Sequence, residues 1–174
     1  MKIINITLIA ILAFGLSTSF TTTNKEAITE NVNELSWFTD FQKADAESKK
    51  TGKPIFGFFT GSDWCGWCTR LKANVFAKDD FKKWAKESVI LLELDFPRKK
   101  QLSANIKAQN QQLAQVFKVR GYPTVWIFNT TRKADSKEIS INQWGKLSYP
   151  RTEAGKESQK FLADAAKIFA AQKK

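Results

Sequence analysis

Cys65 and Cys68 are the only cysteines of the chain, and they stand in the run GSDWCGWC with a tryptophan directly before each. A structural zinc site needs four ligands of Cys, His or carboxylate type. With two cysteines and no histidine the chain cannot close a usual one, so no metal is expected. A purely structural disulfide gains stability with the length of the loop it closes, and this loop is short. Thiol–disulfide exchange fits better, because one sulfur can attack a substrate while the other waits within reach. From Gly66 the apolar positions Cys68, Leu71 and Val75 recur at helical spacing. Cys65 therefore falls at or just before the first turn of a helix, where unpaired N–H groups and the helix dipole favour a thiolate. It is the expected nucleophile. Cys68 lies one turn further in, on the inward face, and is the expected resolving thiol; the pair cycles between dithiol and disulfide without a cofactor.

The flanking segments supply elements to hold this site. Thr39 and Gln42 read as a capping box in front of Phe41 and Ala44, and Gly52 followed by Pro54 ends that helix. Ile55 to Thr60 is a compact apolar run, read as a buried strand. After the Gly66 helix come a short helical piece around Phe81 and Trp84, with Asp79 as its cap, and a second strand over Val89 to Phe96. Ile106, Leu113, Val116 and Phe117 predict another helix. Thr124 to Phe128 reads as a third strand, Asn129 to Ser136 as a turn, and Glu138 to Trp144 as a fourth strand with Ile139 and Ile141 inward. A last helix carries Phe161, Leu162, Ala165, Ile168 and Phe169 on one face. The resulting order describes an α/β fold with a mixed sheet of four strands, or five, covered by helices on both faces. Sites in such sheets gather at the carboxyl ends of strands, where Cys65 follows the Ile55 strand.

At 174 residues and 43% hydrophobic the chain can bury one core without disulfide staples. The N-terminus carries one lysine, an apolar run from Ile3 to Leu16 and then small residues, the pattern of a secretory signal peptide. The expected organisation is a signal over 1–19, cleaved between 19 and 26 or, in the alternative reading, kept as an uncleaved membrane anchor, then a flexible lead-in over 20–35 and one domain over 36–174. Export to the periplasm or cell envelope, or secretion, follows. The net charge of +11 is spread over nearly every expected helix. Its one tight cluster, Arg98, Lys99 and Lys100, is too short for a usual nucleic-acid patch, so a solvated basic surface is the main reading and no nucleic acid is expected.

WCGWC after an apolar strand, together with VRGYPTVWIF at Val119 to Phe128, resembles the thioredoxin superfamily, in particular exported bacterial thioredoxin-like proteins, over about Trp37 to Ala170. The resemblance implies a thioredoxin fold, a cis Pro123 beside the cysteines, and a Tyr122 backbone that pairs with an extended substrate peptide. Two departures stand out. Trp67 takes the place of the proline before the second cysteine, and IFGFF (55–59) lacks the buried aspartate of thioredoxins. Removal of the Cys68 proton then falls to water, Asp63, Glu93 or Asp95. Trp37, Trp84, Trp126 and Trp144 read as packing residues, whereas Trp64 and Trp67, with Gly66 between the thiols, form an apolar rim for peptide. The expected activity is thiol:disulfide oxidoreduction by a monomer acting on protein or peptide disulfides and dithiols, with a membrane electron donor as one source of electrons. The alternative is a peptide-binding or chaperone-like module with an idle disulfide.

Overall fold

The structure, a computed structural model, describes residues 34–132 and 138–172. The signal, most of the lead-in and part of the turn expected after Asn129 lie outside the described residues. Among the described residues no helix is long and apolar enough to cross a membrane.

The chain forms, in order, β1 (Trp37–Phe38), α1 (Phe41–Thr51), β2 (Ile55–Thr60), α2 (Gly66–Leu71), which runs on into a π-helical turn (Lys72–Phe76), α3 (Asp79–Ser88), β3 (Ile90–Asp95), α4 (Ala104–Val116), β4 (Thr124–Arg132), β5 (Ile139–Leu147) and α5 (Glu157–Ala171). The strands make one five-stranded sheet in the order β1-β3-β2-β4-β5. β3 runs parallel to β1 and β2, while β4 is antiparallel to both β2 and β5. The fifth strand, β1, is two residues long, too short to leave a periodic signal.

All six residues of β2 are buried, which explains its unbroken apolar run: a central strand covered on both sides shows no polar alternation. Phe56 and Phe58 enter a cluster with Cys65, Cys68, Leu71, Val75, Phe81 and Phe161, so α2, α3 and α5 cover that face. Ile55 and Phe59 enter the opposite cluster with Phe41, Leu113, Phe117 and Phe128, under α1 and α4. The expected packing tryptophans divide in the same way, Trp37, Trp84 and Trp144 on the first face and Trp126 on the second. Ile139 and Ile141 are partly buried against the second cluster.

Three local expectations are corrected. Asp40, not Thr39, caps α1, its carboxylate accepting the Gln42 and Lys43 N–H groups at 2.8 and 3.2 Å; an ionised acceptor is the stronger partner for these donors. Lys78 holds the N-cap position of α3 without a side-chain bond, and Asp79 lies in the first turn. Asn129 to Arg132, expected as part of a turn, instead continue β4 and pair with β5.

Candidate functional site: a disulfide between two tryptophan–arginine pairs

β2 ends at Thr60, and the chain turns at once. The Gly61 carbonyl accepts the N–H groups of Trp64 (3.3 Å) and Cys65 (2.9 Å). Ser62 donates through its N–H (2.8 Å) and hydroxyl (2.6 Å) to the two carboxylate oxygens of Asp95 at the end of β3. Asp63 faces the other way and accepts the backbone N–H groups of Arg98, Lys99 and Lys100. These bonds, led by that of Arg98, hold its carboxyl down at about 2. The turn is thus tied at two acids to the carboxyl end of the neighbouring strand, and it delivers Cys65 to the N-cap of α2.

Cys65 and Cys68 form a disulfide. The backbone N–H of Cys68 donates to the Cys65 Sγ at 3.2 Å, so this sulfur occupies the acceptor position that a capping oxygen fills in other helices. Cys65 is 7% exposed and Cys68 2%. Both are recessed, with Cys65 the more accessible. Cys68 packs among Leu71, Val75 and Phe58.

Trp64 and Trp67 stand out as exposed hydrophobics, at 38% and 53%. Trp64 is fixed: its Nε1 donates to the Phe96 carbonyl at 2.7 Å, the Arg98 guanidinium lies 4.2 Å from the ring centre, and Tyr122 meets the ring edge-on at 5.6 Å. Gly61 is required by this pose, since a Cβ there would come within 2.4 Å of the indole. Trp67 has a looser counterpart in Arg70, 4.7 Å from its ring centre, and Tyr149 at 5.1 Å. Gly66, first in α2, has open space where a Cβ would project.

Tyr122 packs on Trp64 and on Phe96, and burial raises the pKa of its phenol. The peptide bond from Tyr122 to Pro123 is cis, and Pro123 is buried at the entry to β4. Of the residues singled out from the sequence, Cys65, Cys68, Gly66, Trp64, Trp67 and Tyr122 are brought to one end of the sheet, with Pro123 adjoining Tyr122. Sequence reasoning missed Arg98, Arg70, Phe96 and Tyr149. Only Arg98 left a trace, as part of a basic run read as solvated surface. Of the acids considered for the Cys68 proton, Asp63 and Asp95 are occupied by the turn, and Glu93 pairs with Lys72 at 2.7 Å.

The thioredoxin-like domain family matches residues 41–137. A disulfide bond reductase of Chlamydia pneumoniae, DsbH, is 37% identical over 89 residues, covering 51% of this chain and 53% of that protein. The thioredoxin-related protein DsbJ of the same organism is 29% identical over 91 residues, covering 52% of this chain and 26% of that one. The alignments therefore span about half or less of each relative. Among solved structures, a DsbH oxidoreductase superposes with a TM-score of 0.63 at 28% identity, covering 80% of this chain and 85% of that one. A thioredoxin from Thermus thermophilus superposes at 0.52 with 17% identity over 78% and 87% of the two chains, a likeness of fold. With its paired cysteines at the head of α2 and a family match over more than half its length, the chain belongs to the thioredoxin-like domain family.

Proposed function

We propose that the chain is an exported thiol:disulfide oxidoreductase that exchanges the Cys65–Cys68 dithiol and disulfide with protein substrates. The observation that carries this reading is the asymmetry of the pair: the Cys65 sulfur accepts an N–H at the head of α2, while Cys68 is the more deeply buried of the two, at 2% against 7%. The N–H bond and the helix dipole favour negative charge on Cys65 over Cys68. In the reduced protein the Cys65 thiolate attacks one sulfur of a substrate disulfide. A mixed disulfide forms, and the other substrate sulfur leaves as a thiolate that takes a proton from water. Cys68, once deprotonated, attacks the Cys65 sulfur; the Cys65–Cys68 bond forms and the second substrate thiol is released. Two electrons pass to the substrate, and a dithiol or membrane donor returns them.

The name of the first relative, a disulfide bond reductase, supports the reducing direction. The leader read from the sequence supports export to the periplasm or envelope. Trp64 and Trp67 supply an apolar rim for an extended peptide, and Tyr122 with Pro123 the edge beside it. Catalytic reduction of insulin by the full chain with a dithiol donor tests the proposal. Turnover that vanishes in Cys65→Ser is the expected result. Peptide binding that persists in a Cys65→Ser, Cys68→Ser variant, with no turnover in the parent, would favour the peptide-binding module instead.

A further inference from the structure

Two hollows flank the Trp64–Tyr122 contact. The first, about 220 Å³, lies between the segment after β3 and α4, and its lining includes Arg98, Lys100 and Lys107. The second, about 650 Å³, runs from the end of α4 past Tyr122 and Pro123 to β5, and its lining includes Lys118, Arg120 and Lys146. Both exceed by far the roughly 30 Å³ of a single water. Phe96 lines the first and Tyr122 the second, their rings lie 5.3 Å apart, and Tyr122 also packs on Trp64.

The charge in these hollows is one-sided. Of their lining residues only Asp95 is acidic, and both of its oxygens are taken by Ser62. None of the six cations forms an ion pair with an acid among the described residues. Elsewhere this chain does pair its cations, as Lys49 and Arg132 do with Asp45 and Lys72 does with Glu93. Asp63, the acid on the turn, keeps its negative charge but directs its oxygens to three backbone N–H groups and pairs with none of these cations. Clefts lined by one sign of charge raise the local concentration of the opposite sign and speed association.

We infer that these two hollows receive acidic side chains, so that the preferred substrates are protein disulfides whose flanking segments are rich in Asp and Glu. The inference rests on the oxidoreductase reading above and adds the class of substrate. The aromatic rim takes the chain around the disulfide without regard to sequence, and the cations on either side of Tyr122 select among chains by charge. Arg98 joins the two functions, because its guanidinium lies on the Trp64 ring and its hollow opens beside it.

The test uses the reduced full chain and two peptides, each with one internal disulfide, that differ only in carrying Asp and Glu or Asn and Gln around the cysteines. The expected result is a rate about tenfold higher for the acidic peptide at low ionic strength. That ratio should fall towards one near 1 M salt, where charges are screened beyond about 3 Å. It should also fall towards one in a Lys100→Gln, Lys107→Gln, Lys118→Gln, Lys146→Gln variant, with the neutral peptide as internal reference. Equal rates for the two peptides would overturn the inference and leave the oxidoreductase reading standing. A preference that survives in the variant would overturn the assignment to these hollows. Reduction of neither peptide would remove the oxidoreductase reading and this inference with it. Salt-sensitive capture of an RNA oligomer, without any preference between the peptides, would assign the cations to another partner and overturn it as well.

Discussion

The two faces of the sheet are built alike and used differently. Each is filled by phenylalanines from the same strand, Phe56 and Phe58 on one side and Phe59 on the other, and each has an acid bonded to at least one cation. Under α1, Asp45 is 1% exposed and accepts from Lys49, Thr130 and Arg132. Burial alone would raise its pKa, but these donors together lower it. On the other face Glu93 has one cation, Lys72, four residues after Cys68. The Lys72 ammonium lies 5.6 Å from the ring centre of Phe58, which packs in the cluster with both cysteines. The lesson is that dense aromatic packing does not distinguish a site from a core. The sulfur face differs in that two exposed tryptophans, Trp64 and Trp67, stand at its cysteine end, whereas the acid of the other face is buried under three donors.

Neighbouring phenylalanines give the sharpest division. Phe58→Ala and Phe59→Ala each remove a fully buried ring, and each is expected to cost about 3–5 kcal/mol in denaturant unfolding. Only Phe58→Ala should also move the equilibrium of the cysteine pair with glutathione. Equal shifts in both variants would erase the distinction between the faces.

Asp45→Ala removes the acceptor of three donors and is expected to cost about 1–3 kcal/mol, with insulin turnover per folded molecule unchanged. Because the folded-state pKa of Asp45 is lowered, its contribution is present above the unfolded carboxyl value of about 3.9 and is lost as pH falls through the lowered one. The variant's stability should therefore depend less on pH on the acid side than the parent's. A loss of turnover in Asp45→Ala without loss of folded protein would break the comparison.

A smaller and more local effect is expected at Asp63. Its pKa of about 2 against the ordinary 3.8 means that its hold on the Arg98–Lys100 backbone persists above pH 4 and fades as pH approaches 2. Asp63→Asn should speed amide exchange at residues 98–100 at neutral pH and leave the midpoint of global unfolding nearly in place. Unchanged exchange at those amides would show that the segment is held by other contacts.

Much of this was legible in the residues, for identifiable reasons. β2 could be read because a strand buried on both faces is apolar throughout, and α2 with the turn that continues it because Cys68, Leu71 and Val75 keep helical spacing. β1 was hidden by its two-residue length, and the π-helical turn at Lys72–Phe76 has no periodic signature of its own. The cysteines and their tryptophans were evident from type and spacing alone. Arg98, Phe96 and Tyr149 were not, because they reach the site from segments distant in sequence, through a cation–π contact, a backbone carbonyl and a ring contact. The basic run at 98–100 is visible in the sequence and reads there as solvated surface. What gives it a place is the Asp63 carboxylate, and no sequence pattern announces three backbone hydrogen bonds to one side chain.

Trapping of mixed disulfides tests the central claim, the division of labour between the two sulfurs, most directly. Cys68→Ala keeps the attacking thiol and removes the group that releases it, so this variant, expressed as the full chain, should accumulate reductant-sensitive adducts with substrate proteins. Cys65→Ala should accumulate far fewer, since the remaining thiol is packed among Leu71, Val75 and Phe58. Equal trapping by the two variants, or a reversal of the order, would contradict the account.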